Sequence, residues 1–444
     1  MTVAVSETSE VRSAGRTIVR NGWTPIIPPS SHLAARAWEA VHAISDAILQ
    51  GNYPPMSRAA VPHRTHDDAL LFGWLGRALH EGAWIERAAE RLNAATDNVA
   101  GAQGYAGLFG GWCGLGWTIE HLSPLFQDSS PSGAAQPPEE DPNEEIDAAL
   151  LRRLAGGDWR GQYDLIGGLA GFGVYFLERL PSAVAVRGIR LIVAELEKIS
   201  ERADGGIAWH TSGPLLPEWQ RELCPDGYYN LGVAHGIPGI VHFLSEVCAH
   251  GIETDLARRL LEGAIAWLMA QERPPGSRSR FGSWISHGDS SDSRLAWCYG
   301  DLGIMAVLLQ VARRSGREDW RRYALGLLDE CLNWPEAYNG VIDAPICHGA
   351  AGIAHIFNRI YQTDGDPRCL KAALAWVERT LEMRRPGLGV GGYLSFTRPD
   401  PLAAEVWEPS PAFLDGANGI ALALLAALTP VEPDWDRMLL LSGR

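Results

Sequence analysis

Apolar residues recur along most of the chain with a period close to 3.6, which predicts helices rather than strands. In AVRGIRLIVAELEKIS, for example, one side is apolar and the other carries Arg and Glu, as in a helix with one face in a core and one in water. Seven stretches share this amphipathic pattern: 33–50, 83–98, 143–155, 184–203, 254–272, 318–334 and 367–384. These stretches are predicted to be the outer helices of the fold.

Between the amphipathic stretches lie apolar segments that start with the pattern Gly-x-x-Gly. Its seven copies begin at Gly73, Gly111, Gly168, Gly236, Gly300, Gly349 and Gly416. They recur at intervals of roughly 40 to 70 residues, and most run into apolar sequence such as LAGFGVYFLERL or NGIALALLAAL. Because glycine costs about 1 kcal/mol in a helix interior relative to alanine, its repeated use near helix starts indicates close backbone approach.

Each repeat therefore predicts an outer amphipathic helix followed by an inner apolar helix that other helices must cover. Seven such hairpins can close into a ring, so the predicted fold is all-α, an (α/α)7 toroid of seven inner and seven outer helices. Segments 204–229, 273–293 and 386–411 lack a helical period and are predicted to hold short hairpins around the mouth of the ring. Segment 123–142, rich in Pro, Ser and acidic residues, is predicted to be a mobile surface connection.

Residues 31–444 are predicted to form a single toroid domain, since an internal repeat overrides the usual expectation of one domain per roughly 150 residues. Residues 1–30 fit no repeat and are predicted to be a flexible N-terminal segment. A hydrophobic content of 46% with 20% charged residues is typical of a soluble globular protein with a large core.

The formal net charge of -15 argues against a surface that neutralises phosphates, so nucleic acid is excluded as a partner. The longest apolar run, 420–428, is far shorter than the ~20 residues of a membrane span, and the first residues lack the apolar core of a signal peptide. A cytoplasmic location is expected. The seven cysteines, an odd number, are then predicted to be free thiols or metal ligands rather than disulfides.

Superposing the repeats on their first glycine shows which positions carry polar side chains that could act in catalysis or metal binding. The residue before that glycine is, in chain order, Phe72, Gly110, Gly167, His235, Tyr299, His348 and Asp415. One position earlier, Cys298 and Cys347 share a register in consecutive repeats. Since equivalent positions on neighbouring inner helices point to the same end of a closed ring, these side chains are predicted to converge.

Two thiolates and one imidazole are a set of ligands that zinc prefers, and three protein ligands leave the fourth tetrahedral position open for a substrate. The alternative is that each cysteine is buried as a small hydrophobe, which is common for free cysteine. The shared register of Cys298 and Cys347, with His348 beside the second, favours the metal.

Four motifs carry a resemblance to a known family: LAWCYGDLGI, APICHGAAGI, NLGVAHGIPGI and YDLIGGLAG. Together they resemble the lanthionine synthetase C-like proteins, lanthipeptide cyclases built as toroids of seven helical hairpins, over roughly residues 60 to 430. The likeness implies a stand-alone enzyme of the class I type. By this likeness Cys298, Cys347 and His348 are zinc ligands, while Asp164, His235, Arg294 and Tyr299 line the reaction site.

The resemblance also implies a reaction and its partners. A cysteine thiol of a dehydrated precursor peptide, leader plus core, adds to the β-carbon of dehydroalanine or dehydrobutyrine, and the resulting enolate is protonated at the α-carbon. His235 is the candidate for that proton transfer, Asp164 for orienting it and Arg294 for steadying the enolate oxygen. A dehydratase is the second partner that the likeness raises.

Structural alternatives stay open for each of these four residues. In the structural alternative, Asp164 would only cap a helix starting at Leu165, and Arg294 would only pair with Asp289 or Asp292 on the surface. His235 would then be a core histidine at a tight turn, and Tyr299 would only pack or hydrogen-bond beside a ligand. His210, His242, His287 and His355 lie outside the converging register and are predicted to be structural.

Rival functions also remain. One is thiol prenylation, in which zinc on an α/α barrel also activates a peptide cysteine. Such barrels have six hairpins and a carboxylate among the zinc ligands, whereas this sequence predicts seven hairpins and the set Cys, Cys, His. A peptide-binding scaffold with structural zinc, and family relatives that add glutathione to dehydrated residues or do not cyclise, share the same ligands. Glycosidase chemistry would need two carboxylates across a cleft, for which Asp164 and Asp415 find no support in the rest of the sequence.

Overall fold

The computed structural model describes residues 22–54, 65–99, 104–128, 141–286, 289–397 and 404–444, and these residues form a ring of helices in two layers. The outer helices are α1 (His32–Gln50), α3 (Gly82–Val99), α5 (Glu144–Leu154), α7 (Ala183–Lys198), α10 (Thr254–Ala270), α12 (Glu318–Leu332) and α14 (Pro367–Glu382). The inner helices are α2 (Thr65–Leu79), α4 (Trp112–Asp128), α6 (Leu169–Glu178), α9 (Ile237–Ala249), α11 (Asp301–Ser315), α13 (Ala350–Asp364) and α15 (Ala417–Leu428). A short helix, α8 (Glu218–Leu223), lies in a connecting loop.

The inner helices close on themselves. Each contacts the next inner helix along the chain, and α15 returns to contact α2. Every residue of α6 and of α15 is buried, whereas α7 buries a stripe that includes Ile189, Ile192 and Leu196 and exposes the opposite face. The predicted (α/α)7 toroid is therefore confirmed, and inner helices need no polar face because the outer layer covers them.

Short antiparallel strands occupy the long loops, as predicted. One hairpin pairs β1 (Glu201–Ala203) with β2 (Gly206–Ala208), and another pairs β7 (Ser395–Thr397) with β8 (Val406–Glu408). A four-stranded sheet has the order β3-β4-β5-β6, with bounds His210–Thr211, Tyr228–Asn230, Gly282–Ser286 and Asp289–Asp292. Residues 201–203, predicted as the end of an outer helix, are strand β1.

The glycine pattern has a steric cause in six of the repeats. At the second glycine, an added Cβ would collide with the carbonyl oxygen six residues earlier in the chain: Gly114, Gly171, Gly239, Gly303, Gly352 and Gly419. In these six repeats the incoming loop thus lies directly against the first turn of the inner helix, and only glycine leaves room for it. This contact fixes where the residues just before the helix point.

The first copy of the pattern does not belong to this register. Gly73 and Gly76 lie within α2, which begins at Thr65, so the alignment of Phe72 with the later repeats is wrong. An added Cβ would come within 2.8 Å of Leu122 on α4 at Gly73 and within 2.5 Å of Ile85 on α3 at Gly76. These glycines serve close packing between helices instead of a loop contact.

Described residues of two segments that were predicted to be mobile pack against the core. Residues 123–128 continue α4, with Pro124 inside the helix, because Leu125 and Phe126 pack against the core; residues 129–140 lie outside the described residues. The expectation of a flexible segment over 1–30 also differs from the structure at 22–30, where Trp23 is buried and its Nε1–H donates to Ala426 O at 2.7 Å. Residues 1–21 lie outside the described residues.

A segment through the middle of the ring completes the core. Residues 434–444, which begin with the 3₁₀ helix Asp434–Leu439, make hydrogen bonds to inner helices α6, α9, α11 and α13, and we call them the central plug. Trp435, Met438 and Leu439 are buried there. Within the described residues, no helix combines the length and apolar character needed to cross a membrane.

Candidate metal centre

Backbone hydrogen bonds join the loops that precede neighbouring inner helices. Cys298 N–H donates to Cys347 O at 3.2 Å, and Cys347 N–H donates to Leu414 O at 3.0 Å. Ala234 N–H donates to Cys298 O at 3.4 Å. These four residues all lie two positions before the first glycine of their repeats, so the shared register of the sequence is a direct contact in the fold.

This register brings three soft ligands together. One ligand atom from each of Cys298, Cys347 and His348 lies within 4.8 Å of the other two. Cys298 is buried and the His348 side chain is 16% exposed, so the cluster is largely buried and reaches solvent at His348. The predicted convergence of these residues is thus present in the structure.

The hydrogen bond between the two thiols shifts their pKa values in opposite directions. The Cys347 thiol donates to Cys298, and this bond, with smaller contributions from His348 and Arg294, holds the pKa of Cys298 well below its usual value despite burial. The pKa of Cys347 is raised in turn. A thiol with a lowered pKa, in a set of two sulfurs and one imidazole nitrogen, fits a tetrahedral soft cation such as zinc.

A histidine and a carboxylate lie beside the cluster in the same ring of loops. His235 Nδ1 is 2.6 Å from Asp164 Oδ2, and Gly167 N–H donates to Asp164 Oδ1 at 2.9 Å. The Asp164 side chain is 4% exposed and that of His235 is 44% exposed. Burial lowers the pKa of His235, but the hydrogen bond and charge of Asp164 outweigh it, so the net shift is upward.

The structural alternatives for Asp164 and His235 do not match this geometry. Helix α6 begins at Leu169 with Gly168 as its N-cap and no side-chain cap, so Asp164 does not cap an α-helix and instead holds Gly167 in the preceding turn. His235 is exposed rather than a core residue. The pair presents an oriented imidazole at the cluster end of the ring.

Tyr299 lies next to this imidazole, with ring centroids 6.3 Å apart. Its hydroxyl oxygen accepts a hydrogen bond from Asn230 Nδ2 at 3.1 Å, and burial raises the pKa of Tyr299 well above its ordinary value. The Tyr299 hydroxyl therefore keeps its proton and can still donate it. Asn230, at the end of β4, was missed by sequence reasoning because no repeat position marks it.

Arg294 does not form the surface ion pair that was considered for it. Asp292 is bound by Arg273, with Arg278 at 3.9 Å, and among the described residues Arg294 has no hydrogen bond or ion pair of its own. The Asp289 side chain lies outside the described residues. The Arg294 guanidinium is nevertheless close enough to lower the pKa of Cys298, which leaves a cation available at the cluster.

The comparison with known families matches this chain over residues 69–440 to the model described as Lanthionine synthetase C-like protein. The chain belongs to the lanthionine synthetase C-like family. The resemblance carried by the Trp-Cys-Tyr-Gly and Cys-His-Gly motifs is confirmed.

Two curated relatives of this chain carry names that point to different functions. The chain is 26% identical over 178 residues to Glutathione S-transferase LANCL1 from Danio rerio, covering 39% of each protein. It is 24% identical over 223 residues to Nisin biosynthesis protein NisC from Lactococcus lactis subsp. lactis, covering 45% of this chain and 50% of that protein. Over these matches the chain spans half or less of each relative's own length.

A solved structure, nisin cyclase, shares the fold of this lanthionine synthetase C-like chain. The TM-score is 0.70 at 17% sequence identity, over 90% of this chain and 96% of that one. At this identity the likeness concerns the fold alone, and it agrees with the closed helical ring described above.

Two further acids of this lanthionine synthetase C-like site had no predicted role. Asp415 was placed in the register, and its Oδ1 lies 3.6 Å from His348 Nδ1, with both atoms buried and without a hydrogen-bond partner among the described residues. Asp343 accepts from Phe396 N–H at 3.0 Å, and burial raises its pKa although His348 opposes the shift. Nothing in the sequence signals Asp343, because it lies five residues before His348 and outside the register.

Three of the four histidines that were predicted to be structural make contacts within the fold. His355 Nε2 is 2.8 Å from Asp436 Oδ2 in the central plug, and His242 Nε2 is 3.4 Å from Gln310 Oε1. His210 packs edge-on against Tyr229. His287 lies outside the described residues.

Proposed function

We propose that this chain is a zinc-dependent lanthipeptide cyclase, which adds cysteine thiols to dehydroalanine or dehydrobutyrine of a dehydrated precursor peptide to form thioether rings. One observation carries the proposal: the Cys298, Cys347 and His348 cluster lies at the same end of the ring as an exposed, carboxylate-oriented imidazole, His235. Family membership and the fold of nisin cyclase support a peptide substrate.

Cys298, Cys347 and His348 would hold the zinc ion. Bound zinc would lower the pKa of an incoming thiol at its fourth position, so that the nucleophilic thiolate is available at neutral pH. The open side of the cluster, where the His348 side chain is 16% exposed, leaves that thiol a path from solvent. A buried four-ligand site would block this approach.

His235 supplies the proton that completes the addition. When the sulfur bonds to the β-carbon, the electron pair of the carbon–carbon double bond moves to the α-carbon and forms an enolate. Asp164 holds Nδ1, which leaves Nε2 of the charged imidazole to give its proton to the α-carbon. The proton lost by the thiol passes to solvent and restores His235, so the peptide mass does not change.

Arg294 and Tyr299 stabilise the charge that develops on the enolate oxygen. Arg294 has a fixed positive charge and no protein partner among the described residues, and the Tyr299 hydroxyl keeps a proton to donate. Donors that are already oriented cost no reorganisation during the reaction. Asn230 positions Tyr299 by donating to its oxygen.

A glutathione transferase is the second candidate, because the Danio rerio relative carries that name. The same centre would activate the thiol of glutathione, and the same imidazole would protonate the product. The two candidates therefore differ in the source of the thiol, which decides the mass of the product.

The test measures thiol and mass together. Zinc-loaded protein is incubated with a dehydrated peptide that contains one cysteine, and loss of the thiol at constant peptide mass is expected. Removal of zinc with a chelator, or Cys347→Ala, is expected to abolish ring formation because the ligand set is broken. Cys331→Ala is the matched control, since Cys331 is also a buried cysteine but lies on α12 outside the cluster.

Two results would contradict the proposal. Thiol loss only when glutathione is added, with the mass rising by one glutathione, would replace the cyclase by the transferase. Ring formation at the wild-type rate after zinc removal would exclude the metal centre from the reaction.

A further inference from the structure

The central plug is bonded to the repeat that carries Cys298. Trp297 Nε1–H donates to Leu439 O at 2.7 Å, and Gln310 Nε2–H on α11 donates to Leu440 O at 2.7 Å. Trp297 directly precedes Cys298 in the chain and is 1% exposed. The plug therefore holds both the Cys298 loop and the helix that follows it.

The same plug is bonded to the repeat that carries Cys347 and His348. Asp436 Oδ2 accepts from Arg359 Nε at 2.9 Å and lies 2.8 Å from His355 Nε2, and both partners are on α13. The side chains of His355 and Asp436 are 0% exposed. A buried charge with fixed partners tolerates little displacement, so this joint is rigid.

We propose that the central plug is a brace that sets the spacing between Cys298 and the Cys347–His348 pair, with Trp297 as its positioning residue. The inference rests on the proposed function only for the identity of the metal. The two loops are joined directly by backbone bonds from Cys298 N–H to Cys347 O at 3.2 Å and from Leu295 N–H to Asn339 O at 3.0 Å. The plug adds a separate connection through the buried side chains of Trp297 and His355. Because binding to ligands already in place costs less ordering, the brace raises the affinity for the ion.

The experiment compares two substitutions of the same kind. Trp297→Phe removes the N–H and keeps an aromatic ring. Trp209→Phe is the matched control, because Trp209 is also fully buried and its Nε1–H donates to Leu196 O at 2.9 Å, away from the cluster repeats. Both proteins lose one buried bond from an indole to a carbonyl, and a similar fall in melting temperature is expected.

The first measurement is zinc affinity in competition with a chelator. Trp297→Phe is expected to weaken zinc binding about tenfold, in the range known for residues that orient metal ligands, and Trp209→Phe to leave it unchanged. Should Trp297→Phe fail to fold, Gln310→Leu, which removes the other hydrogen bond from this repeat to the plug, is measured in the same way. Equal effects of Trp297→Phe and Trp209→Phe on zinc affinity would overturn the brace.

The second measurement needs no metal. In zinc-free protein, diamide oxidises Cys298 and Cys347 to a disulfide, which is mapped by mass spectrometry, at a rate set by how closely the two sulfurs are held. Trp297→Phe is expected to slow this reaction several-fold relative to Trp209→Phe, and equal rates would overturn the brace. Wild-type protein that binds zinc but forms no thioether would refute the proposed function and leave the brace supported by these two measurements.

Discussion

Two histidine–aspartate pairs of the ring share a short contact but differ in their surroundings: one lies in the loop before α9, and the other joins α13 to the central plug. His235 Nδ1 lies 2.6 Å from Asp164 beside the cluster, and His355 Nε2 lies 2.8 Å from Asp436 in the central plug. The two distances are nearly equal, but the His235 side chain is 44% exposed and the His355 side chain is 0% exposed. One imidazole can meet a substrate and the other cannot.

The surroundings also push the two imidazoles in opposite directions. Burial lowers the pKa of both, but for His235 the bond and charge of Asp164 outweigh burial and raise the pKa. For His355 burial prevails over Asp436, with Arg359 adding to the lowering, so its pKa falls. Solvent access and the neighbouring cation, rather than the pair itself, separate a proton donor from a structural joint.

His235→Asn is the substitution with the largest expected effect on activity. The asparagine amide can still bond to Asp164 but cannot transfer a proton, so thioether formation is expected to fall about 10²- to 10⁴-fold. Zinc affinity and the free energy of unfolding should stay close to wild type because the side chain is half exposed. Initial rates from mass spectrometry, at saturating zinc, test this.

The matched control is His355→Asn in the other pair. It is expected to lower the free energy of unfolding and to leave the rate per folded, zinc-saturated molecule unchanged. Equal rate losses for the two variants would mean that neither histidine has the role assigned to it.

Asp436→Asn tests the structural side of the comparison. Asp436 is fully buried against Arg359, and neutralising it leaves that buried cation with Glu432 as its remaining carboxylate partner. The free energy of unfolding is expected to fall by about 3 kcal/mol, the lower end of the range for a broken buried ion pair. Asp164→Asn should cost less, because its partner His235 retains contact with water. The free energy of unfolding of both variants is measured by urea denaturation. Equal losses would contradict the view that the Asp436 pair is structural and the Asp164 pair is not.

The features that could be predicted from the sequence are those set by close backbone contact. Glycine at a fixed position reports a loop lying against a helix start, and this contact gave the register that places Cys298 beside Cys347. The same residue type also serves packing between helices, which is why Gly73 was aligned wrongly. A pattern of glycines does not distinguish these two contacts.

Features that depend on long-range side-chain contacts were not predictable. Asp436 lies 81 residues from His355 and belongs to no repeat. The repeat pattern of the sequence therefore predicts neither the His355–Asp436 pair nor the central plug. Asp415 was found in the register, but its distance to His348 depends on how the two loops that carry these residues pack against each other. Likewise, only the fold shows that Asp292 forms its ion pair with Arg273, so that it does not pair with Arg294.

The smallest expected effect is a difference in titration between the two histidines. The NMR signals of the imidazole Cε1 protons should report a pKa above 6.5 for His235 and below 6.5 for His355. The stability contributed by the His235–Asp164 pair is then complete below pH 6.5 and is lost as the pH rises through the pKa of folded His235. His355 has the opposite sign: stability falls as the pH drops below 6.5, because the unfolded chain takes up the proton first. Titration of both histidines on the same side of 6.5 would show that their surroundings do not separate them, and the assignment of the proton donor to His235 would then rest on its exposure alone.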